Sequence, residues 1–151
     1  MKEITNKKEA SKFLGIKEDE ILNFYLYNKY FWEYKDKNCY CHLFQKIGKK
    51  WIELTKNIKA KFVFSYENGD WEYEDDEGYF HLFRCKKNKW TELTKNVKAI
   101  DCYSYCNRHW GYKNENNHSY RFNKFNLLIR INHGNGKKWK RSIQIFKYFR
   151  K

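Results

Sequence analysis

Proline is absent from the chain, and only seven glycines occur in 151 residues. Alanine is scarce as well, whereas aromatic side chains make up 21%. Flat, bulky side chains fit half-buried pleated surfaces, so this balance favours strands over helices. No apolar run reaches the ~18 residues that cross a bilayer. Met1 to Ala10 is too polar for a secretory signal. The expectation is a cytoplasmic protein with no membrane partner, whose five cysteines stay reduced. An odd cysteine count also argues against a closed disulfide framework. Missing too are a nucleotide-binding glycine loop, a zincin helix, a nucleophile elbow and paired metal carboxylates. The sequence therefore offers no catalytic residues, no cofactor and no metal site, and the expected role is binding.

What the chain has instead is a stretch written out twice. Residues 40–60 (YCHLFQKIGKKWIELTKNIKA) and 79–99 (YFHLFRCKKNKWTELTKNVKA) agree at 13 of 21 positions, at a fixed offset of 39. The offset reaches a third copy through Tyr25, Phe64 and Tyr103, Tyr27, Tyr66 and Tyr105, Trp32, Trp71 and Trp110, and Tyr34, Tyr73 and Tyr112. A period of this length marks stacked supersecondary units. Strands are expected at 24–27, 31–35, 40–45 and 50–55 in the first copy, and at 62–66, 71–74, 79–85 and 89–94 in the second. Asp36-Lys37-Asn38 and Asn68-Gly69-Asp70 supply turns between them.

The expected fold is mainly β, with three antiparallel four-stranded repeat units in an open propeller-like or meander array behind a small N-terminal helical cap. As one domain, residues 1–151 divide into a cap (1–22) and units 23–60, 61–99 and 100–151, the last diverged and basic. The phrase WEYEDDEGYFHLFRCKKNKWTELT resembles the aromatic rhythm of propeller-like tandem repeats in low-GC bacteria or their phages. Three units are too few to close a propeller, which leaves an open array and room for oligomerisation.

The cap begins at Asn6, which can accept from the amide of Glu9, and stops at Gly15. A second helical turn is expected over 17–22. KEASKFLGIKEDEIL resembles the opening of excisionase-like helix-turn-helix domains. Glu18, Asp19 and Glu20 would repel phosphate there, so the segment is taken as a cap and not as a reader of DNA.

Charge is the functional signal. The net charge is +14. From Lys113 onward there are eleven Lys or Arg and a single acid, Glu115, while Asp70, Glu72, Glu74, Asp75, Asp76 and Glu77 cluster on the second unit and are read as a solvated hairpin. The third unit is read with an insert of about ten residues after Tyr112, before Leu128–Ile131 resumes as a strand. The motif Lys137-Lys138-Trp139 then matches Lys49-Lys50-Trp51, with Arg141 where the other copies have Glu53 and Glu92. Cations interleaved with aromatics suit a polyanion, because a stacked base contributes ~1–3 kcal/mol and a neighbouring cation holds its phosphate. The expected binding residues are Tyr120, Arg121, Phe122, Lys124, Arg130, Lys137, Lys138, Trp139, Lys140, Arg141, Lys147 and Arg150. Partners are RNA or DNA, or a nucleic-acid-binding protein complex. Small basic proteins of AT-rich coding character resemble phage accessory proteins, among them inhibitors of host defence such as anti-CRISPRs.

Two alternatives accompany this. A metal-independent ribonuclease would use His118 or His133 as acid and base and Arg121 on phosphate. A purely structural, oligomerising repeat would do neither. Cys102, Cys106 and His109 have zinc-ligand chemistry without an evident fourth ligand. His42 and His81, being repeat equivalents, are read as structural.

Overall fold

The computed structural model describes residues 3–87 and 89–134. The chain divides into two compact units, Met1–Val63 and Phe64–Lys151. Over the described residues it is mainly β, with three four-stranded antiparallel sheets and one short N-terminal helix.

Helix α1 (Lys7–Leu14) starts where the sequence places it. Asn6 Oδ1 accepts from the Glu9 amide at 2.9 Å, and Glu9 Oε1 accepts from Asn6 Nδ2 at 3.0 Å. Gly15 closes it at φ 70°, in the left-handed region where a side chain is costly. The second helical turn is shorter than expected. A single 3-10 turn, Glu18–Glu20, gives way at once to β1 (Ile21–Asn28).

The first sheet orders β1, β2 (Phe31–Asp36), β3 (Cys41–Ile47) and β4 (Lys50–Glu53). Strand alternation sends Trp32, Tyr34, Phe44 and Trp51 to one face. Trp32 stacks on Phe44 at 4.3 Å between ring centroids and meets Trp51 edge-on at 6.1 Å. Phe13 of α1 touches both Trp32 and Phe44 edge-on, at 6.1 and 5.9 Å. Ile4, Ala10 and Ile21 complete this core. The helix does cap the first sheet, through apolar side chains set at helical spacing.

The second sheet repeats the pattern with β5 (Phe62–Ser65), β6 (Trp71–Glu74), β7 (Phe80–Lys86) and β8 (Lys89–Glu92). Trp71 stacks on Phe83 at 4.6 Å, Tyr73 on His81 at 4.5 Å, and Trp90 meets Trp71 edge-on at 6.1 Å.

The third sheet, β9 (Ala99–Ser104), β10 (Trp110–Asn114), β11 (His118–Phe122) and β12 (Leu128–His133), differs from the expected layout. There is no ten-residue insert. Trp110 stacks on Phe122 at 4.3 Å and Tyr112 on Tyr120 at 5.0 Å. The offset of 39 therefore runs unbroken through β11, and β12 is the fourth strand. β11 escapes sequence matching because the His-Leu-Phe of the earlier copies has become Tyr-Arg-Phe. At the position of Trp90 stands Ile129, which is 49% exposed.

One turn is used four times. Asp36, Asp75, Asn114 and Asn123 each accept two backbone N–H groups into the side-chain oxygen at 2.8–3.1 Å. The fourth turn residue is left-handed in each: Cys39, Gly78, Asn117 and Asn126. Asx side chains satisfy turn backbone in just this way.

Candidate nucleic-acid interface

Register decides which side chains share a face. In the third sheet Trp110 pairs with Phe122, Tyr112 with Tyr120, and Tyr120 in turn with Ile131. These form the aromatic face. Tyr120 and Phe122, expected to meet a ligand, are half-buried members of the same ring layer that the other copies build.

The opposite face carries the cations. Gly111 pairs with Arg121, and Arg121 with Arg130, so the two arginines stand directly across from each other. The positions equivalent to Arg121 are Leu43 and Leu82, both 0% exposed. The Arg121 guanidinium lies 4.8 Å from the Tyr105 ring centroid, and its Nη2 is 3.3 Å from His109 Nδ1. Among the described residues, no carboxylate forms an ion pair with Arg121, Arg130 or Lys124.

Gly111 makes room for this arrangement. A Cβ there would lie 2.0 Å from the Tyr103 hydroxyl, at a position where the other copies have Glu33 and Glu72. Burial pushes the Tyr103 phenol far up, while Arg121 and Arg130 pull it the other way. Its hydroxyl thus sits within the field of both guanidiniums.

Lys124 and Phe125 occupy the tip of the β11–β12 turn. Phe125 is 70% exposed, and the Lys124 ammonium is 5.2 Å from its ring centroid. Lys137, Lys138, Trp139, Lys140, Arg141, Lys147 and Arg150 lie outside the described residues.

The acidic cluster is a solvated hairpin only in part: Asp76 and Glu77 are exposed, and Glu74 and Asp75 half-buried. Asp70 is buried against Arg84, with Nη2–Oδ2 at 2.7 Å. Glu72 is 0% exposed and accepts from the Tyr66 hydroxyl. Asp75 holds His81 Nε2 at 2.8 Å, and Glu92 holds its Nδ1 at 3.0 Å. Thr94 Oγ1 donates to Glu92 and accepts from the Leu82 amide, at 3.1 and 3.0 Å. His42 repeats this with Asp36 (2.7 Å), Glu53 (2.9 Å) and Thr55. Both histidines are held by the same carboxylate framework at equivalent places in the repeat.

The candidate zinc ligands do not converge. Cys102 is fully buried, Cys106 is exposed with its Sγ 3.7 Å from Glu67 Oε2, and His109 faces Arg121. Among the described residues no three of His, Cys, Asp and Glu gather as a metal site. Cys41 is buried, whereas Cys39 is exposed in its turn. His118 and His133 pair across β11 and β12, on the face opposite Arg121, so the three ribonuclease candidates do not share one face.

Among the described residues no helix is long and apolar enough to cross a membrane. No protein-family model matches the chain, and no curated protein matches it.

Proposed function

We propose that the protein binds single-stranded nucleic acid through the cationic face of its third sheet. The observation that carries this is the Arg121–Arg130 pair. Like charges placed directly opposite on neighbouring strands destabilise a sheet by roughly 0.2–1 kcal/mol. Here Arg121 replaces a leucine buried in both other copies, and neither arginine has a carboxylate partner among the described residues. A phosphate between them offsets that repulsion with charge-assisted hydrogen bonds. Phe125, one turn away, offers a ring on which an unpaired base can stack, which a duplex cannot supply. The concentration of positive charge after Lys113 extends the footprint.

Binding a nucleoprotein complex uses the same chemistry. An effector that holds RNA or DNA in an open channel presents phosphates to this face, and occupying them is how a phage-encoded, anti-CRISPR-like inhibitor would act. The small size and the charge segregation favour such a role.

Fluorescence anisotropy with a labelled 20-nucleotide RNA, its DNA counterpart and a duplex of equal length tests the proposal. Binding should weaken with salt at a slope near −0.7 per phosphate contacted. Arg121→Glu/Arg130→Glu should lower affinity for every probe at least tenfold, because each exchange repels where it once attracted. Phe125→Ala should weaken only the single strands. Lys7→Glu/Lys8→Glu on α1 should change nothing. Equal loss from both charge reversals would refute a localised site. RNA cleavage in EDTA that disappears in His118→Ala would replace binding by catalysis.

A further inference from the structure

Five histidines occur in the chain, and the structure treats them in two ways. His42 and His81 have both ring nitrogens held by carboxylates at 2.7–3.0 Å. His109 receives Arg121. His118 and His133 differ from all three. They are direct partners on β11 and β12, with ring centroids 4.5 Å apart and planes at 86°. Among the described residues, none of their four ring nitrogens has a hydrogen-bond partner. His118 is half-buried and His133 exposed, so water and ions reach both.

The repeat does not require imidazole at either place. Position 118 corresponds to Tyr40 and Tyr79, and position 133 to Thr55 and Thr94. Each of those residues belongs to the hydrogen-bonded framework of its own sheet, and only the third copy exchanges both for histidine. The backbone beneath them is fixed: Asn114 Oδ1 accepts from the His118 amide at 3.0 Å, and the ladder to β12 holds the facing strand. Two imidazoles without a hydrogen-bond partner among the described residues, side by side on an antiparallel pair, offer two nitrogen donors close enough to share one ion.

We propose that His118 and His133 bind a divalent transition metal. Imidazole suits Zn²⁺, Ni²⁺ and Cu²⁺ and not Mg²⁺ or Ca²⁺, which take oxygen ligands. The described residues bring no third His, Cys, Asp or Glu to the pair. Water, or an oxygen of a bound partner, therefore completes the shell, and the metal keeps open positions. This site lies on the face opposite Arg121 and does not depend on nucleic-acid binding.

Calorimetric titration with NiCl₂ tests it, using ZnCl₂ and MgCl₂ in parallel. Cys39→Ser/Cys85→Ser/Cys106→Ser removes the exposed thiols that would compete for metal. The expected result is one nickel per chain, zinc binding at the same site, and no magnesium uptake. His118→Tyr and His133→Thr restore the residues that the other copies carry, so both should fold, which urea midpoints check. Each should weaken nickel binding at least about tenfold. His109→Ala should leave it unchanged. Nickel retained by the double variant, loss in only one of the two single variants, or no uptake at millimolar metal would each overturn the site.

Discussion

Removing the Asp70 carboxylate gives the sharpest test of how the second sheet is held together. The side chains of Asp70 and Arg84 are 1% and 7% exposed. Arg84 Nε donates at 3.1 and 3.2 Å and Nη2 at 2.7 Å, while Ser104 Oγ donates to the same carboxylate at 2.6 Å. Asp70→Ala leaves a buried guanidinium without its counter-ion, a loss of about 3–5 kcal/mol. The stranded Ser104 hydroxyl adds roughly 1 kcal/mol. For a unit of this size that lowers Tm by on the order of 15–30 °C. The first sheet shows how the site can be rebuilt without charge, because Phe31 and Gln45 occupy the equivalent positions and pair in register. Asp70→Phe/Arg84→Gln transplants that pair and leaves no buried charge; the added ring volume and the stranded Ser104 hydroxyl should cost about 1–3 kcal/mol, less than the single change. Urea denaturation followed by tryptophan fluorescence reads all three proteins, with Trp71 adjoining the site. The reasoning is refuted if Asp70→Ala costs under about 1 kcal/mol, or if the double variant is as unstable as the single one.

Stability should also respond to pH and to one glycine. At His42 burial opposes the charged ring, but hydrogen bonds to Glu53 and Asp36 outweigh it and raise its pKa; at His81 the bond to Glu92 leads, against burial, with Asp75 adding to it. Burial also works against ionised Asp36 and Asp75, yet the bonds from His42 and His81 and from turn amides hold both below the usual range. Raised histidines contribute fully below about pH 6.5 and lose that contribution as pH climbs through their folded values. Lowered carboxylates contribute above about pH 4 and lose it on acidification. The urea midpoint should therefore peak between about pH 4.5 and 6.5, and His42→Gln/His81→Gln should flatten the alkaline limb; a midpoint rising from pH 6 to 8 would contradict this. Gly111→Ala should destabilise by about 3 kcal/mol or more, because the new Cβ meets Tyr103 Oη at 2.0 Å and the Tyr120 backbone oxygen at 2.4 Å. Tyr103→Phe should not rescue it, since the backbone oxygen remains, and recovery of the wild-type midpoint would show that the contact is misassigned.

Some of this protein is written locally. The repeat offset, the alternation of rings and polar residues, the Asp36 and Asn68 turns and the Asn6–Gly15 caps are signals of this kind, and in the first two copies they predicted their elements to within a few residues. A strand's period of two and a turn's hydrogen bonds involve neighbours in the chain, so the sequence alone determines them. Cross-strand position is a different matter. Tyr120 and Arg121 are adjacent letters in one basic-aromatic phrase, yet the pleat sends the first into a ring stack and the second to the cationic face. The acids of 70–77 look like a solvated run, but Asp70 and Glu72 are buried because Arg84 and Tyr66 lie beside them in space. That Arg121 meets Arg130, and His118 meets His133, follows from which strand lies beside which. Only the tertiary structure decided this, because pairing between strands is fixed by what the whole sheet buries and not by any residue's own neighbours.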